Sequence, residues 1–307
     1  MARIAVVIPT RNRGGQAALT AGAVLLDRCE LELVVVDQST DEATVEALRP
    51  LQADARLRVV RSPLRGASNA RNAGVAATTA PIIAFTDDDC RPEPGWASAV
   101  LGVFDGNPDA SLIFGRVRAP PDIEVEHYCP SFEPKHRYQQ GQVPLPDGDL
   151  GIGANFAIRR EVLGQLGGFD ALLGPGAPFF RGAEETDLLI RALHRGHRVI
   201  NAAECTVLHL GVRTGGDVRD LLITYQFAVG AAFGKHARLS GRAGLRDVAR
   251  WIWHYARALV GDLVRLRRPR PGVIFYFTAG ALLTLRYRID RARNVFRERE
   301  RGAQVGT

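Results

Sequence analysis

Carboxylates are concentrated in one short run, Thr86-Asp87-Asp88-Asp89-Cys90, which directly follows the apolar residues Ile82–Phe85. Three adjacent carboxylates repel one another and resist burial unless a cation or hydrogen-bond donors compensate their charge. Mg²⁺ or Mn²⁺ with oxygen ligands is the usual compensation, and a bound phosphate can complete the shell of such an ion. The alternative is an acidic loop that is simply solvated. The position at the end of an apolar run favours the metal site.

Two further polar segments could serve a nucleotide. Asp37 follows the apolar Val34–Val36, and its carboxylate could accept a hydrogen bond from a nucleobase N–H or a ribose hydroxyl. Capping the next helix is its alternative role, although the polar residues just after it suit that role better. Arg65 and Arg71 lie near the start of a predicted helix. An arginine beside a helix N-terminus suits a diphosphate, whereas the alternative for either residue alone is a solvated surface.

A third set of carboxylates comes later, in Gly182-Ala183-Glu184-Glu185-Thr186-Asp187-Leu188. Acidic residues in the first turn of a helix are favoured by the helix dipole, which is the structural explanation for each of them. The functional alternative is a general base that takes a proton from an attacking hydroxyl group. His209 follows the apolar Thr206-Val207-Leu208 and is either a core histidine or a metal ligand; taken alone, it favours the core.

The elements that must position these residues alternate between strands and helices in the first hundred residues. Short apolar runs, rich in β-branched residues, predict buried strands at Ile4–Ile8, Leu31–Val36, Leu57–Val60 and Ile82–Phe85. Helical patterns lie between them at Gln16–Leu26, Asp41–Leu51 and Ala67–Ala77. This alternation predicts an α/β protein with βαβ units and a mostly parallel, Rossmann-like sheet. Ligands of such sheets bind beyond the carboxyl ends of the strands, where the polar segments lie.

The rest of the chain is less regular. Residues 119–150 are rich in Pro, Gly and Asp and predict a long loop near the site. The pattern then predicts ordered elements at Gly153–Leu163 and Glu185–Arg195. Helix-length segments follow at Leu221–Phe233, Leu245–Leu266 and Val273–Arg297. A basic linker at 265–271 separates the last two of these helices.

Composition restricts the class of protein. With 307 residues, 46% hydrophobic and 24% charged, the chain is neither disordered, collagen-like nor a coiled coil as a whole. The net charge is +7, but residues 238–301 hold 16 Arg against 5 acidic residues, so this segment carries +11 and the remainder −4. Four widely spaced cysteines contain no C-x-x-C pair. The N-terminus lacks the apolar core of a signal peptide, and Pro271–Leu285 is too short to span a membrane. A cytoplasmic protein is expected, with the inner face of the membrane as an alternative location.

Several of these segments, taken in order, resemble the inverting nucleotide-sugar glycosyltransferases of family 2, which have the GT-A fold. The resemblance covers roughly residues 3–212. The segments that carry it are Val6–Arg13, Val34–Asp41, Ala70–Gly74, Phe85–Asp89 with its D-x-D metal motif, Gly153–Arg160, Gly167–Asp170, Glu184–Leu188 and Val207–His209. Two positions depart from the usual pattern. Gln38 stands where glycine is more usual, and Glu184-Glu185 stands where Glu-Asp is commonest.

The resemblance implies a role for each matching residue. Pro9, Thr10, Arg11 and Asp37 would line the nucleoside pocket, with Arg71 near the diphosphate and Asp88 facing the ribose. Asp89 would serve the metal together with Asp87 and His209. Asn155 and Glu184 would join the residues that bind the nucleotide sugar. Glu185 would be the catalytic base, although the choice between it, Glu184 and Asp187 stays open because of the departure at this motif.

The resemblance also implies the domain organisation and the reaction. We expect a GT-A catalytic domain over residues 1–212, with a nucleotide-binding half at 1–110 and an acceptor half at 111–212, followed by a basic helical region at 213–307. The reaction would be a Mn²⁺- or Mg²⁺-dependent, inverting transfer of a sugar to an acceptor hydroxyl, in cell-envelope or other glycoconjugate synthesis. A UDP- or dTDP-sugar is favoured over a GDP-sugar as donor, and a saccharide or a lipid-linked compound is the expected acceptor.

The basic C-terminal region leaves three uses open. Arg242, Arg246, Arg250 and Arg257 recur at helical spacing beside Trp251, Trp253 and Tyr255. Such a helix could lie on an anionic membrane, pack on the catalytic domain or form a homodimer contact.

Two rival functions remain. A nucleic-acid-binding protein would explain the basic tail, but no zinc-finger, RNP or basic-zipper pattern is present and the carboxylates at the strand ends would repel phosphate, so no nucleic acid is expected. A metal-dependent nucleotidyltransferase or phosphohydrolase could use the same acidic site. The later Glu-Glu-x-Asp and Asn155 segments favour glycosyl transfer.

Overall fold

The computed structural model describes residues 2–122, 127–136, 138–139, 143–144, 150–214, 216–265 and 271–297. The strands in these ranges are β1 Ile4–Thr10, β2 Leu31–Asp37, β3 Leu57–Arg61, β4 Ile82–Thr86, β5 Cys90–Pro92, β6 Ala110–Arg118, β7 His127–Tyr128, β8 Tyr138–Gln139, β9 Asn155–Arg159, β10 Arg198–His209, β11 Arg213–Thr214, β12 Arg288–Asp290 and β13 Val295–Arg297. The helices are α1 Gly14–Leu25, α2 Ala43–Leu48, α3 Ala67–Ala76, α4 Trp96–Gly106, α5 Arg160–Leu166, α6 Glu184–His194, α7 Gly216–Leu239, α8 Arg242–Val264 and α9 Gly272–Leu283. Single 3₁₀ turns follow α2 and α9.

The central sheet has nine strands, with β3-β2-β1-β4-β9-β6-β10-β5 as its main order and β8 paired to β10. Strands β3, β2, β1 and β4 are parallel, and β6 and β10 are parallel to each other. Strand β9 is antiparallel to both of its neighbours, β4 and β6. The residues of β1 and β4 are almost all buried, because helices cover both faces of the sheet. The predicted α/β fold with a mostly parallel central sheet is confirmed.

The register of the strands brings the polar segments together at one edge. Thr10 at the end of β1 pairs with Asp37 at the end of β2, and Thr86 at the end of β4 pairs with Asn155 of β9. The predicted strand runs match β1–β4 to within one or two residues, and the predicted helices coincide with α1, α2 and α3. Because parallel strands end at the same edge of a sheet, the loops after β1, β2 and β4 meet there.

An aromatic cluster fills the core beneath this edge. The rings of Phe85 and Phe156 stack with their centroids 4.7 Å apart, and Phe169 meets Phe85 edge-on at 5.2 Å. These three residues come from β4, β9 and the loop after α5, so the cluster joins three of the segments that the sequence analysis singled out. A rigid apolar base of this kind fixes the polar groups above it.

The C-terminal helices α7, α8 and α9 pack on one another at close range. A Cβ at Gly230 of α7 would lie 1.9 Å from the carbonyl oxygen of Phe277, and one at Gly280 of α9 would lie 2.0 Å from that of Phe227. Only glycine allows α7 and α9 to approach this closely. Trp251 of α8 stacks on Phe277 at 5.1 Å. The predicted helical extension is confirmed, and none of the helices in the described ranges is long and apolar enough to cross a membrane.

One predicted helix is wrong in part. A helix over Val273–Arg297 is expected from the sequence, but α9 ends at Leu283 and residues 288–297 form the hairpin β12–β13. Asn294, at the turn, has a left-handed backbone conformation with a φ of 55°, which a continuing helix would not permit. Part of the predicted loop at 119–150 and most of the basic linker at 265–271 lie outside the described residues.

Candidate active site

The acidic run forms the loop between β4 and β5. Asp88 and Asp89 are buried, whereas the side chain of Asp87 is about one-third exposed. The hydroxyl group of Thr20, on α1, donates to the carbonyl oxygens of Asp88 and Cys90 at 2.8 and 2.6 Å. This buried contact between α1 and the loop fixes the backbone, so the carboxylates point into the site instead of into solvent.

The negative charge of the carboxylates in this loop exceeds the positive charge of the side chains that contact them. Thr10 donates to Asp88 at 2.7 Å, and Arg13 Nη1 lies 3.2 Å from Asp88 Oδ1 and 3.1 Å from Asp89 Oδ2. Burial nevertheless raises the pKa of Asp88 to about 6, against the lowering effect of Thr10 and Arg13. Burial also raises the pKa of Asp87, opposed by Arg71. Additional positive charge at this loop would therefore be stabilising.

His209 at the end of β10 lies beside the acidic loop because β10 pairs with β5, where it faces Cys90. Its Nε2 is 3.7 Å from Asp89 Oδ1, and its Nδ1 accepts the backbone N–H of Gly211 at 3.0 Å. Potential ligand atoms of Asp89, Cys90 and His209 all lie within 4.8 Å of one another. Burial raises the pKa of the Cys90 thiol well above its usual range, so it stays protonated and is a poor ligand.

These residues fit a divalent cation. The carboxylates of the loop, of which Asp87 and Asp88 have raised pKa values, and the imidazole of His209 form an oxygen-rich donor set that suits Mn²⁺ or Mg²⁺. Binding through Nε2 of His209 places the ring proton on Nδ1, which would then lose the hydrogen bond from Gly211. Asp89 and His209 are in contact and Asp87 lines the same cavity, and metal binding by these three residues stays a prediction.

Arg71 connects the acidic loop to the start of α6. This buried arginine donates to Glu184 Oε1 at 2.5 Å, to Asp87 Oδ1 at 2.9 Å and to the carbonyl oxygen of Gly153 at 3.2 Å. Its guanidinium lies over the ring of Phe156 at 5.7 Å. Arg71 and Glu184 are 113 positions apart in the chain, so their ion pair depends on the complete fold. Bound in this way, Arg71 orients two carboxylates.

The three candidates for the base occupy different environments on α6. Glu184 is buried and paired with Arg71. Asp187 is buried, but Arg191, Lys235 and His236 outweigh the effect of burial and hold its pKa well below its usual range. Glu185 is half-buried, and burial together with the charge of Glu184 raises its pKa well above the usual range. Of the three, Glu185 has the environment of a group that accepts a proton.

Two cavities meet at the acidic loop. The smaller, about 350 Å³, is lined by Pro9, Thr10, Arg11 and all three aspartates. The larger, about 570 Å³, contains Glu184 and Glu185 and reaches Trp251 and Tyr255 of α8. Both are lined by Asp87, Pro130, Pro175, His209 and Tyr225. Two molecules, one bound in each cavity, would come into contact at this common wall.

Two of the predicted binding residues lie behind the cavity walls. Asp37 is fully buried, and its Oδ1 accepts the backbone N–H of Ser39 at 2.9 Å. Its Oδ2 accepts no hydrogen bond and lies 3.6 Å from Arg61. Asn155 accepts from Trp96 at 3.0 Å and donates to the carbonyl oxygens of Arg116 and Cys205. Neither residue lines either cavity, and direct contact of each with the donor stays a prediction.

The sequence of residues 5–167 matches the profile of glycosyl transferase family 2, which covers more than half of the chain. The chain belongs to this family. Among its relatives, the pre-mycofactocin glycosyltransferase of Mycobacterium tuberculosis is 29% identical over 203 residues, 64% of this chain and 40% of that protein. The glucosyl-dolichyl phosphate glucuronosyltransferase of Haloferax volcanii is 29% identical over 155 residues, 47% of this chain and 48% of that protein. The chain thus matches less than half the length of both proteins.

Solved structures support the GT-A fold of this family 2 member. The mannosyltransferase PcManGT of Pyrobaculum calidifontis, solved with GDP-Man and Mn²⁺, aligns with a TM-score of 0.60 at 19% identity, covering 92% of this chain and 87% of that one. TarS 1-349 of S. aureus, solved with UDP-GlcNAc, aligns with a TM-score of 0.57 at 15% identity over 95% of each chain. At these identities the likeness concerns the fold alone.

Three residues that line the candidate site were not singled out from the sequence. Arg13, inside the first motif, contacts two aspartates of the loop. Arg213 adds a cation to the smaller cavity, and Tyr225 of α7 lines both cavities. Arg13 could have been found from its place in the motif. Arg213 and Tyr225 lie outside the segment that matches the family profile, and no local pattern marks them.

Proposed function

We propose that this chain transfers a sugar from a nucleoside-diphosphate sugar to an acceptor hydroxyl, with inversion at the anomeric carbon and with Mn²⁺ or Mg²⁺. The observation that carries the proposal is the pair of cavities, one on each side of the wall formed by Asp87 and His209. A donor and an acceptor can occupy separate spaces there and still bring their reacting atoms together. The family match supports the reaction class.

The smaller cavity would take the donor. Pro9, Thr10 and Arg11 would contact the nucleoside, with Asp37 acting from behind the wall and Asp88 facing the ribose. Arg11, Arg13 and Arg213 would offset the charge of the diphosphate, since Arg71 is already bound to two carboxylates. The preference for a uridine or thymidine nucleotide stays a prediction, because the solved relatives bind GDP-Man in one case and UDP-GlcNAc in the other.

Asp89, Asp87 and His209 would hold the cation. When bound, such an ion neutralises charge that grows on a departing diphosphate. Hydrogen bonds within the protein orient the carboxylates of the loop. Arg71 fixes the direction of the Asp87 carboxylate, while Thr10 and Arg13 fix that of Asp88. Each carboxylate is therefore held in place before the donor arrives.

The larger cavity would take the acceptor, with Glu185 as the base. Glu185 removes the proton of the acceptor hydroxyl as its oxygen forms a bond to the anomeric carbon. The bond from that carbon to the diphosphate oxygen breaks in the same displacement, so the centre inverts and no enzyme nucleophile is needed. The pKa of Glu185, raised by burial and by Glu184, makes its ionised form a stronger base than a solvated carboxylate.

The acceptor would be a saccharide or a lipid-linked compound. Aromatic rings of Tyr128, Trp251 and Tyr255 line the larger cavity together with the polar Glu133 and Gln226. This mixture suits a sugar, whose faces are partly apolar and whose hydroxyls need hydrogen-bond partners. A location in the cytoplasm at the inner face of a membrane is part of this proposal, as is the division of the chain at residue 212.

Ligand-dependent melting would test the donor site. A nucleoside diphosphate should raise the melting temperature in the presence of Mn²⁺ or Mg²⁺ and not with chelator, because binding to the native state stabilises it by mass action. Asp89→Ala should abolish the shift, whereas Asp105→Ala, at an exposed aspartate of α4, should retain it. Absence of a shift with every diphosphate in folded protein would refute the donor site. Release of pyrophosphate from a nucleoside triphosphate, as its nucleotidyl group passes to a sugar phosphate, would indicate a nucleotidyltransferase.

A further inference from the structure

Helix α8 has two faces of different chemistry. On the inner face Gly244, Asp247 and Trp251 are buried, and Trp251 with Tyr255 lines the larger cavity. Successive residues of a helix are rotated by about 100° around its axis. This rotation places six residues of α8 within an arc of roughly 60° on the outer face. These six residues are Arg242, Arg246, Trp253, Arg257, Val260 and Val264.

The outer face combines exposed apolar side chains with arginines. Trp253 is 68% exposed, Val260 59% and Val264 78%. The acidic residues of α8, Asp247 and Asp262, lie on the other side of the helix, and Asp247 is bonded to His194 at 2.7 Å. A solvated helix face is normally polar. Exposed tryptophan and valine between arginines that have no acidic partner among the described residues therefore indicate a partner that is both apolar and anionic.

We propose that the outer face of α8 docks on an anionic membrane surface, with the arginines at the lipid phosphates and Trp253, Val260 and Val264 in the interfacial region. Basic amphipathic helices with aromatic residues bind such surfaces by apolar burial and by charge attraction. The neighbouring α9 also exposes Phe275, at 65%, and Leu282. The stacking of Trp251 on Phe277 ties α8 to α9.

Charge favours a membrane over a second copy of this chain. Two outer faces paired by a two-fold axis would bring arginines against arginines, which is repulsive. The surrounding segment, residues 238–301, has 16 Arg against 5 acidic residues, so its net charge would repel the arginines of another copy paired through this segment. An anionic bilayer offers many phosphates at once, and each arginine near it gains independently.

The docking would place the acceptor cavity at the membrane, a step that rests on the proposed function. Helix α8 is one wall of the larger cavity, so the bilayer would lie about one helix diameter, roughly 10 Å, from that cavity. A lipid-linked acceptor could then enter without leaving the membrane.

The fluorescence of Trp253 provides a direct test. The chain has three tryptophans, and the other two, Trp96 and Trp251, are buried. Phosphatidylcholine vesicles containing phosphatidylglycerol should shift the emission to shorter wavelength, and brominated lipids should quench it. Pure phosphatidylcholine should give neither change, and high salt should reverse both because the attraction is partly electrostatic.

A matched pair of variants separates α8 from net charge. Arg246→Gln with Arg257→Gln should weaken binding to the anionic vesicles about tenfold or more. Arg28→Gln with Arg49→Gln, at exposed arginines of the catalytic region, removes the same charge and should leave binding unchanged. Equal losses in both pairs, or equal binding to pure phosphatidylcholine, would overturn the proposal. So would a blue shift that grows with protein concentration alone, which indicates a second copy, or one caused only by an oligonucleotide. None of these readouts uses a sugar donor, so their failure leaves the donor-site test unaffected.

Discussion

Two buried charge clusters share helix α6, and their charge balances differ. In the first, Glu184 and Glu185 join the three aspartates of the acidic loop, and Arg13 and Arg71 are the guanidinium groups bonded to these carboxylates. In the second, Asp187 and Asp170 both contact Lys235 at 2.7 Å, and Arg191 contacts Asp187 at 2.7 Å. The second cluster is balanced, with two carboxylates and two cations. The first has surplus negative charge.

The pKa shifts follow this difference. Burial raises the pKa values of Asp88 and Glu185 in the first cluster, because the cations nearby do not compensate it. In the second cluster Arg191 and Lys235 outweigh burial and lower the pKa of Asp187. A cluster with balanced charge stabilises the fold, whereas a cluster with excess negative charge is stabilised further when it binds a cation or a proton. Charge balance therefore separates the structural carboxylate of Asp187 from that of Glu185, the proposed base, which lies two residues earlier.

The largest expected effect comes from unbalancing the second cluster. Lys235→Met leaves Asp170 and Asp187 buried with one cation fewer, and breaking a buried ion pair in this way costs about 3–5 kcal/mol. Chemical denaturation should show this loss in the free energy of unfolding. Arg242→Met, at an exposed position of α8, should change it by no more than about 0.5 kcal/mol. A comparable change in both variants would contradict the structural role of the Lys235 cluster.

Neutralising a residue of the first cluster should have the opposite effect on stability. Glu185→Gln should lower the rate of sugar transfer by about 10²–10⁴-fold, because the base is lost. The metal-free protein should unfold no more easily than wild type, since a surplus charge has been removed from a buried site. Transfer assays and denaturation of the same preparation measure both. If transfer continues at the wild-type rate, the base is a different residue.

Acidification should weaken the second cluster through His236. Burial lowers the pKa of this histidine to about 4, despite its hydrogen bond to Asp187 at 2.9 Å. Between pH 6.5 and 4 the unfolded chain then binds more protons than the folded one, so stability is lost as the pH falls through that window. At pH 5 the loss from this group should be about 2 kcal/mol. His236→Gln should reduce the pH dependence of the free energy of unfolding in this window. An unchanged dependence would show that other groups cause the loss of stability.

Much of the catalytic fold follows from local sequence. The runs that became β1 and β4 are apolar and β-branched, so their burial dictates strands whatever lies around them. The hairpin β12–β13 does not follow in this way. Its Phe296 is buried and its backbone N–H donates to Asp170 at 2.8 Å, 126 positions earlier. A helical pattern in the sequence was overridden there by a tertiary contact that no local window contains.

The candidate site, too, can be predicted from local sequence only in part. The acidic loop and the Glu184-Glu185 pair stand out in the sequence because unpaired carboxylates are costly to bury. Their connection through Arg71 and the presence of Tyr225 in both cavities depend on segments brought together by the fold. Asp187 differs from the other two candidates for the base because it contacts Lys235 and His236 of α7. The motif itself does not reveal these partners.

The contact between Phe296 and Asp170 also bears on the order of events during synthesis. Asp170 is hydrogen-bonded both to Lys235 and to the backbone N–H of Phe296 in β13, so its environment is complete only after residue 296 has been made. At about 5–20 residues per second, a ribosome needs roughly 6–25 s to add the 126 residues between the two partners. Lys235 is made about halfway through that interval, 65 positions after Asp170, and the backbone group of Phe296 only at its end.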